Sequence, residues 1–468
     1  MAFGAVILIA FLGTISSLSN WRTGPYWLIF LTAVQDPLRK MIPGAPSIVL
    51  LASAPIMLAM LVGLLGKRNW FGQIRSLYPI ASNRLNLFLL ACIPAAFISL
   101  TYSANSWLLT VFGIYAYGIF FISIAFGFHF ARSPQDIRKL ISFYCLISTI
   151  MLSGTFLEYF NLRPGWITLG TKAFEMNWIR YSGNYVVELV AGFYRSPDVM
   201  GWHAAATSML SFFLATTSKP PRRFLWLIIC SIAIVALFFC GRRKMFYMLP
   251  VAAIILFLIY LRARNTSQLF NLVPIVVIPA LIMLYTSNIL GDDSTYVSYY
   301  RDNLTDTTDQ LQKHGFQSLI ATVQQSGFFG SGLGSASPGT HNLNVVRPRT
   351  WQESGPSRIM VELGVPGFFA LMFFMVALLR SAWSEVQTLL SLRSYLAMYG
   401  AGLLAFLLAN IGGLIVSGQI LADAFITFFL GFSLGLILSF AKDRQALLYR
   451  PPYPWPPLQP ANTSPAER

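Results

Sequence analysis

The chain has 468 residues, 56% of them apolar and only 11% charged, and its mean hydropathy is +0.62. This composition excludes a water-soluble enzyme built around one core and selects an all-α, polytopic helical membrane protein. A net charge of +16 would suit nucleic acid, but the cations fall mostly in short loops between apolar runs, where they read as topology signals and lipid-headgroup contacts. Nucleic acid is therefore not an expected partner.

The first apolar run, from Phe3 to about Leu18, lacks a basic leader and a clear small-residue cleavage site, so it reads as a first span and not as a removed signal. Runs long enough to cross a bilayer follow near 48–65, 85–103, 106–129, 137–158, 198–217, 222–240, 245–262, 267–288, 358–380, 392–417 and 420–441, about 12 in all with the first. Segment 24–42 is apolar in WLIFLTAV but is cut short by Asp36, Arg39 and Lys40. It reads as a re-entrant or interfacial helix. Cys92, Cys145, Cys230 and Cys240 fall within or at the end of apolar stretches without CxxC spacing, as inert packing residues do.

Every alternate connection is basic, from Lys67, Arg68, Arg75 and Arg84 to Lys442 and Arg444 in the tail. By the positive-inside rule that side is cytoplasmic, with both termini inside. Residues 1–450 then form one transmembrane domain with outer loops at 159–197 and 289–357, and 451–468 is a disordered, Pro-rich cytoplasmic tail. One short outer turn departs from the rule, because Gly241 is followed by Arg242, Arg243 and Lys244. Cations on that side fit an anionic group at the outer membrane face, best a lipid diphosphate; the plain alternative is contact with lipid headgroups.

The second outer loop opens with Asp292, Asp293, Tyr299, Tyr300 and Arg301. Leu311, Phe316, Leu319, Ile320 and Val323 then fall on one helical face. Gly330, Gly332 and Gly334 permit tight turns close to a ligand, or simply end a helix. His341 and Asn342 follow, then WQESGPSRIMVELGVPGFF, where Ser354 or Ser357 caps the next helix and Pro356 suits its first turn. Glu362 lies further in, where a carboxylate either pairs with a cation or serves a site. His203 reads as a structural polar contact, and Asp423, inside the last span, as paired with a cation or a polar neighbour.

The order FCGRRKMF (Phe239 to Phe246), GFFGSGLG (Gly327 to Gly334), His341-Asn342 and ELGVPG (Glu362 to Gly367), preceded by AGFYRSPDVMGWHAA (Ala191 to Ala205), resembles the O-antigen ligase and O-antigen polymerase superfamily of bacterial surface-polysaccharide enzymes. The similarity covers about 190–380, and the N-terminal third only by hydropathy. It implies a glycosyltransferase C-type fold in the bacterial inner membrane, with an active site facing the periplasm and short helices in the large outer loop. The implied reaction is metal-independent and inverting, needs no cofactor, and uses an undecaprenyl-diphosphate-linked glycan. A flippase and a chain-length regulator are the partner proteins it suggests.

Carried over residue by residue, the resemblance gives Arg242 or Arg243 and Arg195 as diphosphate ligands, joined by Lys244, and His341 as the loop histidine. Here fourteen residues, Leu343 to Pro356, separate the His-Asn pair from the following helix, so Glu353 is an alternative general base. Arg301, Gly332, Gly334, Asn342 and Glu362 complete the expected substrate loop. The chemistry agrees: departure of a diphosphate needs preorganised guanidinium groups, and the attacking hydroxyl needs a base. Polysaccharide polymerase, for exopolysaccharide or O-antigen, is the expected function. An O-antigen ligase acting on lipid A core and a transporter or flippase of lipid-linked glycans are the rivals.

Overall fold

In lipid, a chain of this hydropathy satisfies its backbone polar groups by forming helices. The computed structural model is predominantly helical over the residues it describes: 1–66, 69–162, 164–182, 185–262, 317–337, 354–392, 396–416 and 423–448, with isolated positions between them. Among these, ten helices are long and apolar enough to cross a membrane. Each run expected from hydropathy coincides with helix except 267–288, which lies outside the described residues, as does the Pro-rich tail 451–468.

The first three helices, α1 (Ala2–Ser19), α2 (Gly24–Lys40) and α3 (Ala54–Leu65), run back and forth against one another. Gly13 of α1 lies against Ile56, and Gly24 at the start of α2 lies against Met60 and Ser17. One expectation is corrected here. Segment 24–42 was expected to be re-entrant or interfacial, yet α2 traverses the bundle. At one end Arg22, just before it, donates from Nε to the Phe130 carbonyl at 2.9 Å, and at the other Lys40 Nζ donates to the Gly192 and Tyr194 carbonyls at 2.8 and 2.7 Å. Its 17 residues rise about 26 Å, close to the roughly 30 Å hydrocarbon thickness. Hydropathy failed because Asp36 and Lys40 are polar but buried with partners.

Next come α4 (Trp70–Leu77), α5 (Pro79–Leu100), α6 (Trp107–Phe130) and α7 (Pro134–Tyr159). Proline occupies the first turn of α5 and α7, where its missing N–H costs nothing. Ser133 and Asp136 close a capping box at the start of α7. A small antiparallel hairpin, β1 (Ile179–Ser182) with β2 (Tyr185–Glu188), is the β structure among the described residues and falls within the first long loop. Val187 of this hairpin, with Leu189 and Val190 just after it, packs on Phe238 and Phe239 in a separate apolar cluster.

The chain continues through α8 (Pro197–Thr216), buried along nearly its whole length, then α9 (Pro220–Phe239), the single turn α10 (Arg243–Phe246) and α11 (Met248–Arg262). The amphipathic helix expected from Leu311 is described as α12 (Ser318–Ser326), with Thr322 buried, Leu319 and Val323 half-buried, and Ile320 on the exposed side. Leu311 and Phe316 lie outside the described residues. The last three helices are α13 (Gly355–Ser391), α14 (Leu396–Val416) and α15 (Ala424–Leu448).

Two motifs singled out in the sequence complete each other. Helix α13 is broken at Gly364 (φ 65°, ψ −174°), within ELGVPG. The break frees the Val361 carbonyl, which accepts from Ser331 N at 2.6 Å, while Val365 N donates to the Phe328 carbonyl at 2.8 Å. The GFFGSGLG segment thus supplies the hydrogen bonds that the kinked helix lacks. Gly332 (φ 89°) and Gly334 (φ 80°) need the left-handed region, and a Cβ on either would meet the backbone of α5 or α6, at Ser99 and Leu109 respectively.

Candidate functional site

The first turn of α8 organises one end of the bundle. Ser196 caps it by accepting from Val199 N at 3.3 Å, and Pro197 sits in its first turn. On either side of this cap are Arg195 and Asp198, and the two predicted arginine sites converge on them.

Asp198, buried to 1% exposure, pairs with Arg242 Nη2 at 2.7 Å and with Lys244 Nζ at 2.7 Å. The Arg242 guanidinium also lies 4.8 Å from the centroid of Trp178, next to the hairpin. Gly241 makes this turn possible. Its φ of 62° suits glycine, and a Cβ there would strike Leu189. Arg243, the N-terminal residue of α10, is half-buried. Neighbouring Cys240 is buried, and burial pushes its thiol pKa up to about 12. It is thus an unreactive packing residue.

Arg195 is held by two carboxylates. Its Nη2 pairs with Asp423, its Nη1 lies 3.7 Å from Asp36 Oδ1, and its backbone N–H donates to Asp36 Oδ2 at 3.0 Å. Desolvation pulls the Arg195 pKa down, but Asp423 and then Asp36 outweigh it and leave the group above the ordinary arginine value. Asp423, expected inside the last span, instead caps it, accepting from Ile426 N at 2.9 Å. The sequence-based pairing of Asp423 with a cation is met by Arg195. Lys40 and Glu158, which accepts from Ala191 N at 3.0 Å, fasten the loop before Arg195 to α2 and α7.

Arg195 and Ser196 also line a cavity of about 520 Å³. Arg39, Gly44, Ala45 and Ser47 form its other wall, with residues 173–176 between. Arg242, Arg243 and Lys244 do not line it. Asp36, Asp198 and Arg39 were not singled out as site residues from the sequence. Their signal was the clustering of opposite charges at helix ends: Asp36 with Arg39 and Lys40, and Asp198 three residues after Arg195.

Elsewhere at this end, Glu362 is fully buried. Its Oε1 accepts from Ser337 Oγ at 2.8 Å and Ala336 N at 3.2 Å, and lies 3.9 Å from Arg358 Nε. Glu362 therefore ties the glycine segment to α13, and the sequence alternative of pairing with a cation is met by Arg358. Glu362→Gln is expected to lower stability by about 1–3 kcal/mol, because a charge-assisted contact is lost while the amide oxygen still accepts. A melting curve in detergent reads this effect. Gly332 and Gly334 spend their freedom on helix contacts. His203 has a structural place: its Nδ1 is 3.0 Å from Tyr144 Oη and its ring stacks on Tyr194. His341, Asn342, Glu353 and Arg301 lie outside the described residues. Among the described residues, no three His, Cys, Asp or Glu side chains converge as metal ligands do.

These helices define a multi-pass helical membrane protein. No protein-family model matches the chain, and no curated protein is significantly similar to it.

Proposed function

We propose that this protein is a polysaccharide polymerase of glycosyltransferase C-type fold, acting at the outer face of a bacterial cytoplasmic membrane. It takes a glycan from undecaprenyl diphosphate and joins it to a hydroxyl of a second lipid-linked glycan. The observation that carries this reading is the gathering of Arg195, Arg242 and Lys244 around one helix turn, each held by a buried carboxylate. Guanidinium groups fixed in this way need no reorganisation when charge develops on a leaving diphosphate. Orientation is supported by the opposite end, where Arg75, Arg138, Lys219 and Arg444 stand in loops or at helix ends.

In the proposed step the acceptor hydroxyl attacks the anomeric carbon from the face opposite the diphosphate. The carbon–oxygen bond to phosphate breaks, and its electron pair leaves on the diphosphate. Arg242, Arg243, Arg195 and Lys244 stabilise that charge, while His341 or Glu353 accepts the hydroxyl proton. Inversion follows from single displacement.

The test is chain extension in vitro with purified protein and lipid-linked repeats. The Arg242→Ala, Arg243→Ala double variant is expected to lose at least about ten-fold in rate, since one charge-assisted contact is worth roughly 1.5–3 kcal/mol. Abundant product from the double variant overturns the assignment. A deletion strain separates the ligase reading, because short chains signify a lost polymerase and unattached full-length chains a lost ligase.

A further inference from the structure

The cavity beside Arg195 has features that the Asp198 cluster does not explain. Arg39 lines it from the last turn of α2, donating from Nε to the Ala45 carbonyl at 2.7 Å and lying 4.7 Å from the Phe174 ring centroid. Among the described residues Arg39 belongs to no ion pair, although it is only partly exposed. A half-buried guanidinium held over an aromatic face, with its nearest carboxylate, Asp36, engaged by Arg195 and beyond ion-pair distance, can take up an oxyanion. Glu175, the acidic residue in the lining, is exposed, so its carboxylate is solvated and opposes an incoming anion weakly.

The backbone points the same way. Among the described residues, four that are not glycine have positive φ: Ala45 (41°), Asn69 (63°), Asn161 (55°) and Glu175 (55°). Asparagine tolerates that region, whereas alanine and glutamate do so at a cost. Both costly residues, Ala45 and Glu175, are in the wall of this one cavity. Such conformations persist where the surroundings over-determine them, and they cluster at ligand sites. The volume also suits a bound group, since ligand pockets run from about 300 to 1,000 Å³.

We infer that this cavity is an oxyanion site, in addition to the one at Arg242–Lys244, where Arg39 grips a phosphate or carboxylate of a ligand and Arg195 lies in the wall between the two sites. The assignment deepens the polymerase reading and takes its biological sense from it. A polymerase holds two lipid diphosphates at once, and this pocket seats the acceptor's.

The experiment measures binding by calorimetry to the full chain in phosphatidylcholine nanodiscs, comparing wild type with Arg39→Gln. Inorganic pyrophosphate is expected to bind at least ten-fold more weakly to the variant, with its melting temperature unchanged. Loss of methyl glucuronide binding instead supports the site and assigns the anion to an acidic sugar. Loss of phosphatidylglycerol retention from mixed discs supports it and assigns the anion to a lipid headgroup. Equal affinity of both proteins for all three probes overturns the inference. Should Arg39→Gln fail to fold, Arg39→Lys, which keeps the charge but loses the fork, carries the test, and unchanged affinities for all three probes again overturn it. Binding is read without turnover. A chain that shows the Arg39 effect but never extends a glycan keeps the site and loses the polymerase. A chain that extends glycans but shows no Arg39 effect does the reverse.

Discussion

Asp198→Asn is expected to destabilise the protein by about 3–5 kcal/mol, the usual cost of removing one partner from a buried ion pair. The carboxylate is 1% exposed and holds Arg242 and Lys244 at 2.7 Å each. The substitution changes the shape hardly at all but leaves two cations, which repel each other, sharing an amide. It also removes a negative charge from the first turn of α8, where the helix dipole favours one. A fall of several degrees in the melting temperature in detergent is the expected readout. Glycan extension is expected to fall as well, because Arg242 and Lys244 would no longer be held in place. An unchanged melting temperature would mean that Asp198 does not anchor the turn. Asp198→Glu, which keeps the charge, is expected to recover part of both losses.

The spans were legible in the sequence because a 3.6-residue helix in lipid must be apolar over its whole length, and hydropathy measures that directly. Segment 24–42 was misread for a related reason. Asp36 and Lys40 lower the local hydropathy, and nothing in the sequence says that Arg195 and two carbonyls, more than 150 residues away, satisfy them. The hairpin at 179–188 gave no warning either, being four residues per strand. The site was half legible. The Arg242 turn stood out by its placement against the charge rule, and Arg195 by its motif. Their counter-ions Asp198, Asp36 and Asp423 come from separate parts of the chain, and only folding joins them. The glycine segment left two readings open, a turn close to a ligand or a helix end, because a sequence cannot distinguish a glycine that admits a ligand from one that admits a helix. At Gly332 and Gly334 it is a helix.

That joining makes Arg195 the other position of large effect. Arg195→Gln is expected to cost at least as much as the Asp198 change, because it strands two carboxylates, Asp36 and Asp423, whose side chains are 3% and 4% exposed. It also removes a side chain that bridges α2, the loop before α8 and the start of α15. Glycan extension is expected to be lost with it, since Arg195 serves both the proposed diphosphate site and the cavity wall. Stability and function can be separated by a second change. Asp423→Asn removes one stranded charge and keeps the cap on α15, because asparagine caps helices as well as aspartate. The Arg195→Gln, Asp423→Asn double variant is therefore expected to regain at least about 1 kcal/mol of stability over Arg195→Gln alone, a coupling of the size seen for residues in one ion network. Its extension activity should remain lost. Strictly additive melting losses in the two single variants would show that the Arg195–Asp423 pair contributes nothing. Restored extension in the double variant would remove Arg195 from the reacting site.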